Sequence, residues 1–143
     1  KRTLPLAELF LGPKRTALKK DELITGFTVS KRKRAGAYLK LGPRSYFGIS
    51  KAAVALSAEL SAGKIIKAVV ALGSVAPVPL RAAKTSAWLA GKELSAQTAR
   101  AAAGLVKKEV SPITDARSEA GYRREMCGVL LERALLSLPG AAK

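Results

Sequence analysis

The sequence predicts an α+β fold in which a small antiparallel β-sheet of about three strands packs against a C-terminal bundle of three helices. Apolar side chains alternate with a period of two in the first half of the chain, up to residue 73. After Pro77 and Pro79 the period changes to nearly four, which is typical of helices. With 143 residues, 48% of them hydrophobic, the chain is long enough for one core and short for two.

The first forty residues contain an irregular segment and two candidate strands. Residues 1–20 are predicted to be irregular because proline and glycine signal turns there. Residues 21–30 contain strand-forming Ile, Phe and Val side chains, although Gly26 weakens the pattern. Residues 37–41 alternate as a short strand that ends at Gly42.

A β-hairpin is the best-supported local structure. Residues 49–60 alternate between apolar and polar, and residues 64–73 form a second apolar run. The three residues between them, 61–63, include a glycine and suit a tight turn.

Three helices are predicted to follow the hairpin. Residues 80–90 form the first, which ends at Gly91, and residues 96–110 form the second, which Ser95 can cap. Residues 119–138 form the third and end before a Pro-Gly pair. The residues expected to line one side of this third helix are Tyr122, Met126, Val129, Leu130 and Leu136.

Composition excludes several classes of site. The chain has no histidine, which rules out Ser-His and Cys-His nucleophiles and histidine zinc sites within it. Its one cysteine, Cys127, is expected to be a small buried side chain, and the absence of a cysteine framework favours a cytoplasmic protein. No apolar run is long enough to insert in a membrane.

The net charge of +16 is uneven along the chain. Residues 1–44 carry 12 Lys+Arg against 3 acids, and residues 45–143 carry 14 against 7. Such a charge attracts phosphate-rich or acidic partners, so a basic nucleic-acid-binding module is one hypothesis. The run at residues 31–34 (KRKR) is interpreted as a solvated loop, or as a contact with an acidic partner subunit. The aromatic residues form no stacking ladder among the cations, which argues against nucleic acid.

Four stretches together resemble one protein family. They are residues 9–24 (LFLGPKRTAL followed by DELI), residues 38–51 (YLK followed by GPRSYFGISK), residues 71–82 (ALGSVAPVPLRA) and residues 112–134 (PITDARSEAGYRREMCGVLLERA). In order and spacing they are similar to the C-terminal domain of the FAD-binding medium subunit of molybdenum hydroxylases. That family includes carbon monoxide dehydrogenase, xanthine dehydrogenase and aldehyde oxidase.

The resemblance implies a domain organisation and a set of partners. Residues 1–20 are expected to be the tail of a preceding FAD-binding domain, and residues 21–143 the flavoprotein C-terminal domain. FAD is expected in the full-length subunit, but not on this chain alone, because the glycine-rich pyrophosphate loops lie in earlier domains. Molybdopterin in a large subunit and iron–sulfur clusters in a small subunit complete the electron path to FAD. The chain is expected to cover part of the flavin and dock these subunits.

The resemblance also names two flavin neighbours. Lys40 matches a lysine that approaches the flavin ring, and Ile24 matches an apolar residue beside it. Neither is a catalytic residue, and the chain contains no recognisable catalytic or metal-ligand set. Three positions depart from the family pattern: Gly48 replaces an aspartate, Ser74 replaces a glycine and Glu119 replaces a serine.

Overall fold

The computed structural model describes residues 1–44 and 48–141. The chain starts with a short helix, α1 (Leu6–Leu9), followed by β1 (Phe10–Gly12) and β2 (Arg15–Thr16). These two strands pair antiparallel in a small sheet of their own. Residues 1–20 are therefore less irregular than the sequence predicts. The segment 17–34 contains no regular element.

A four-stranded antiparallel sheet forms the body of the domain. Its strands, in the order in which they lie side by side, are β3 (Ala35–Leu41), β4 (Ala52–Ser61), β5 (Lys64–Gly73) and β6 (Leu80–Arg81). The two central strands make the predicted hairpin, with a two-residue turn at Ala62 and Gly63. Both turn residues have positive φ, 48° and 73°, as the commonest tight hairpin turn requires.

Three helices cover one face of this sheet. They are α2 (Ala83–Leu89), α3 (Ala96–Val106) and α4 (Ala120–Leu136). Helix α4 packs on β3 and β4, helix α2 packs on β5, and α3 lies against both helices. Among the described helices, none is long and apolar enough to cross a membrane.

The core lies between the sheet and the helices. Alternate strand residues point into it, and the small side chains of α3 let α4 approach closely. A Cβ at Gly128 of α4 would lie only 3.0 Å from the Ala103 carbonyl oxygen, so this contact requires glycine. The largest fully buried side chains are Ile65, Leu89, Leu131, Leu135, Val54 and Val70.

The structure confirms the α+β class and corrects its strands. The predicted strand at 21–30 is wrong: this segment has no ladder partner, and Phe27 and Val29 are exposed. An additional strand, β6, forms at the start of the predicted helix 80–90, because Leu80 and Arg81 pair with the end of β5. The main sheet therefore has four strands rather than three.

The helices are shorter than predicted, and the face that the third buries agrees with the prediction only in part. Helix α2 begins at Ala83, and α3 ends at Val106 rather than at residue 110. In α4 the buried residues are Arg123, Cys127, Gly128, Leu130, Leu131, Ala134 and Leu135. Of the predicted stripe, Leu130 is buried, Met126 and Leu136 pack half-buried against the core, and Tyr122 is exposed.

Candidate functional site

Lys40 lies near the end of β3, on the face of the sheet that the helices leave open. The residues on either side of it in β3, Leu39 and Leu41, pack against the core, and Lys40 itself is exposed. Its Nζ donates to the Gly48 carbonyl oxygen at 3.3 Å. The lysine is thus oriented by the chain that follows its own strand, with the charge still open to solvent.

Gly48 is required by the packing of this connection. A Cβ at this position would lie 3.0 Å from the Arg44 carbonyl oxygen and 3.1 Å from the Pro43 side chain. An aspartate, which the family pattern has here, would therefore shift the backbone that holds Lys40. The connection closes where the Lys51 N–H donates to the Leu41 carbonyl oxygen at 2.7 Å.

A flat surface of small residues lies beside Lys40. In the ladder Lys40 is opposite Ala53, which is opposite Gly73, and Tyr38 is opposite Ala55, which is opposite Ala71. These residues alternate with the core-facing residues of the same strands and so lie on the other face, where Ala55 is exposed and Ala71 and Gly73 are half-buried, whereas Ala53 is buried. Tyr38 is 65% exposed. A planar ring could lie against the accessible part of this face, at Ala55 and Ala71, with the Lys40 cation at its edge.

Ile24 lies elsewhere, in the segment 17–34. Its side chain is half exposed, and three neighbouring apolar residues are more exposed still: Leu23 by 88%, Phe27 by 72% and Val29 by 81%. Contiguous apolar exposure of this kind marks a surface that contacts something else. Of the two predicted site residues, Lys40 thus lies in β3 and Ile24 lies in a segment without regular structure.

Arg123 holds together the backbone at the Lys40 end of the sheet. The residue is 4% exposed, and its guanidinium donates to the carbonyl oxygens of Lys51 at 3.2 Å and Ser74 at 2.9 Å. It also donates to Asp115 Oδ1 at 2.6 Å. The contact with Asp115 is a structural ion pair within the Tyr-Arg-Arg motif at residues 122–124. The two carbonyl contacts could not be predicted, since they join residues far apart in the chain.

Electrostatic effects are concentrated at a few groups. The Asp115 carboxylate accepts from the Arg117 backbone N–H and from Arg123, which together hold its pKa below the usual value against the effect of desolvation. The bond with Arg2 is the main cause that lowers the pKa of Glu22 to about 2. Burial raises the pKa of the Cys127 thiol to about 11, which confirms a small apolar role rather than a reactive one.

No metal centre is found within residues 1–44 and 48–141. No three His, Cys, Asp or Glu side chains there are grouped as metal ligands. Two clefts in the described chain are lined by residues other than Lys40 and Ile24. For FAD, the residues present fit one open wall of a site, with a cation and a flat surface, and not an enclosing pocket.

Comparison with known proteins agrees with this architecture. The CO dehydrogenase flavoprotein C-terminal domain family matches residues 37–138. The nicotine 6-hydroxylase medium subunit of Paenarthrobacter nicotinovorans is 31% identical over 95% of this chain and 48% of its own length. The carbon monoxide dehydrogenase medium chain of Afipia carboxidovorans is 31% identical over 99% of this chain and 50% of its own. The chain thus spans about half the length of the curated relatives it matches.

Solved structures show the same fold. Reconstituted CO dehydrogenase from Oligotropha carboxidovorans has a chain that superposes with a TM-score of 0.84 at 31% identity, covering 94% of this chain and 48% of that one. A carbon monoxide dehydrogenase chain from Hydrogenophaga pseudoflava gives a TM-score of 0.84 at 30% identity, covering 99% and 50%. The match covers the whole sheet and all three packed helices. This chain belongs to the CO dehydrogenase flavoprotein C-terminal domain family.

Proposed function

We propose that this chain forms one wall of the flavin site in an FAD-containing electron-transfer subunit of a molybdenum-hydroxylase-type oxidoreductase. The observation that carries the proposal is the family match over residues 37–138, which includes Lys40 and the open face of the sheet. The chain itself is not catalytic in this proposal. It orients and shields a cofactor that is held mainly by other parts of the subunit, which residues 1–20 join to the C-terminal domain.

Lys40 is the residue assigned to the flavin ring. FAD accepts and passes on electrons when bound, and a nearby cation stabilises the negative charge of a reduced flavin. Lys40 can do this because its only hydrogen-bond partner in the described chain is a neutral carbonyl, that of Gly48. Its charge is therefore not neutralised by an acid.

Ile24 is assigned to the side of the ring, where it excludes water. Its half-exposed side chain is part of the exposed apolar segment described above. Burial of such side chains contributes about 1.5–3 kcal/mol each. The segment is thus suited to pack against the flavin and the flavin-binding half of the subunit.

The proposed setting is a cytoplasmic assembly of three kinds of subunit. A molybdopterin-containing large subunit oxidises the substrate, an iron–sulfur small subunit carries the electrons, and the flavin subunit delivers them to an acceptor. Support comes from the relatives, which are described as medium chains or medium subunits. This chain contributes a contact surface for the partner subunits of that assembly.

The test of Lys40 is the substitution Lys40→Met in the FAD-loaded subunit that contains this chain. Loss of the cation is expected to shift the flavin reduction potential negatively by about 30 mV, which for a two-electron couple is about 1.4 kcal/mol. The visible flavin spectrum is expected to change with it. Potentiometric titration with spectral detection measures both.

Lys64→Met is the matched control. Lys64 is also an exposed strand lysine of the same sheet, but it lies at the opposite, hairpin end. Its loss removes one charge without approaching Lys40, so the potential should stay as in the wild type. An equal shift in both variants would assign the effect to net charge, and no shift in either would remove Lys40 from the flavin site.

A further inference from the structure

An open cleft lies at the hairpin end of the sheet, away from Lys40. The basic residues Arg32, Lys33 and Arg34, which precede β3, line one side of it. Glu59 of β4, Ile66 of β5 and Pro139 after α4 complete the lining that matters here. These six residues form what we call the hairpin cleft.

The hairpin cleft has an excess of positive charge. Among the described residues that line it, Glu59 is the only acid. Its Oε1 lies 3.1 Å from Arg34 Nη2 and 4.0 Å from Arg32 Nη1, and Lys67 is its ladder partner on the other side. One carboxylate is therefore shared between two arginines.

The arginines retain donors for a further anion. Within the described chain, Glu59 Oε1 is buried yet accepts no hydrogen bond, so the two ion pairs do not use the guanidinium N–H groups in good geometry. The Arg32 side chain is 61% exposed. A guanidinium with unused donors pairs best with a planar carboxylate, through two parallel hydrogen bonds.

An apolar floor lies next to these cations. The ladder pairs Glu59 with Lys67 and Leu60 with Ile65, which leaves Ile66 unpaired at a β-bulge. Ile66 is 53% exposed. Bulges redirect side chains at sheet edges and sites, and this one presents an isoleucine beside Pro139. The cleft thus combines an aliphatic surface with a basic rim.

We propose that the hairpin cleft is the docking surface for an acidic segment of a partner protein. Carboxylates of that segment pair with Arg32 and Arg34, and one aliphatic side chain packs on Ile66. The inference rests on the proposed function for the multi-subunit setting, but it does not depend on the flavin contact. It also gives the KRKR run a role that a solvated loop would lack.

A protein segment fits this surface better than a nucleic acid. Single-stranded nucleic acids bind through aromatic side chains on which bases stack, and the described lining of the cleft contains no aromatic residue. An aliphatic floor instead matches a Leu-type or Ile-type side chain, the usual apolar anchor in a protein groove. The charge complementarity then sets orientation and association rate.

The probe is a fluorescent, glutamate-rich peptide that contains one central leucine. Its binding to the 143-residue chain is measured by fluorescence anisotropy at about 0.15 M salt, where exposed charges are partly screened. The double variant Arg32→Glu/Lys33→Glu is expected to weaken binding by about tenfold or more. Lys19→Glu/Lys20→Glu, which changes the net charge equally at exposed residues outside the cleft lining, should change it by less than about twofold.

The apolar part of the proposal is tested separately, with Ile66→Ser. This half-exposed side chain can be replaced without disturbing the core, and the variant should weaken binding of the leucine peptide but not of its alanine counterpart. Equal losses in the cleft and control variants would overturn the proposal in favour of general charge attraction. Tighter, cleft-dependent binding of a single-stranded oligonucleotide of equal charge would overturn it in favour of nucleic acid. Neither outcome involves flavin, so the Lys40 test stands or fails independently.

Discussion

Arg123 joins three separate parts of the chain through one buried guanidinium. It connects α4 to the start of β4, to the turn after β5 and to Asp115. The first two contacts fix the backbone next to the connection that holds Lys40. A residue that never reaches the open face can therefore determine where Lys40 lies.

Replacement of Arg123 by methionine is expected to destabilise the chain strongly. The side-chain volume is nearly kept, but two carbonyl oxygens and Asp115 lose their donor, so the free energy of unfolding should fall by about 2–4 kcal/mol. Urea unfolding monitored by circular dichroism measures the change. Arg124→Met, at the exposed neighbouring position, is the control and should stay within about 0.5 kcal/mol of the wild type.

The Asp115 carboxylate makes stability depend on acid pH. Because the pKa of Asp115 is lower in the folded chain than in the unfolded chain, its ionised form stabilises the fold. This stabilisation is complete above the unfolded-state pKa of about 4 and is lost as the pH falls through the folded-state pKa. Asp115→Asn should therefore reduce the loss of stability below about pH 4. Urea midpoints measured against pH test this. Asp21→Asn, at an exposed position, is the matched control for the loss of one carboxylate.

Ser74 adopts a backbone conformation that favours glycine. Its φ is +64°, and its carbonyl oxygen accepts from Arg123. The family pattern has glycine here, so Ser74→Gly should relieve strain and raise the free energy of unfolding by about 0.5–1 kcal/mol. Ser57→Gly, in the middle of β4, should lower it by a similar amount. A loss of stability in Ser74→Gly would mean that the turn is not strained.

At the scale of elements, Glu109 caps a helix that has no cap of its own. Helix α2 begins after Ala82, whose side chain cannot cap. Glu109, just beyond the end of α3, accepts from the backbone N–H groups of Lys84 at 2.9 Å and Thr85 at 2.7 Å. It also accepts from the Thr85 hydroxyl. A carboxylate at a helix N-terminus is further favoured by the helix dipole.

Glu109→Ala is expected to lower the free energy of unfolding by about 1–3 kcal/mol, because two N–H groups and a hydroxyl lose their acceptor. Glu109→Gln keeps an acceptor oxygen and should recover part of the loss. Thermal unfolding compares the two. Glu125→Ala removes an exposed pair with Lys107 and should cost less than about 1 kcal/mol. An equal effect at both glutamates would contradict the capping role.

These contacts also show what the sequence could predict. The hairpin was predictable because its alternation and its glycine turn are local signals. Strand β6 was not, because Leu80 and Arg81 become a strand only through pairing with Ala71 and Leu72. Helix α4 and part of its buried face were predictable from the apolar pattern, but the burial of Arg123 was not, because it depends on carbonyl oxygens far away in the chain.

The candidate site also contains features that local sequence signals predict and features that depend on contacts within the folded chain. Lys40 was selected by the family motif, and the alternation at residues 37–41 predicted the short strand that contains it. The Gly48 contact could not be foreseen, because it depends on backbone crowding between Gly48, Pro43 and Arg44. Ile24 was selected by resemblance alone, and the expected strand around it is absent.

At the scale of the whole molecule, the domain has surfaces of different chemistry on its different sides. One face of the sheet carries the helices and the core, while the other presents small residues, Tyr38 and Lys40 to the outside. The segment 17–34 adds exposed apolar residues, and the hairpin end adds exposed cations. Separate surfaces of different chemistry suit simultaneous contacts with a cofactor and with protein partners.

It follows that the 143-residue chain alone should not bind FAD tightly. Strong binding of a ligand this large needs a concave site that buries most of its surface, and Lys40 lies on an open face. Equilibrium dialysis with FAD should give no Kd below about 1 μM, which corresponds to about 8 kcal/mol. Weak uptake that ADP shares and salt abolishes would reflect attraction to the net charge of +16. Tight, stoichiometric binding that Lys40→Met weakens would instead mean that this domain holds the cofactor by itself, and the single-wall proposal would have to be replaced.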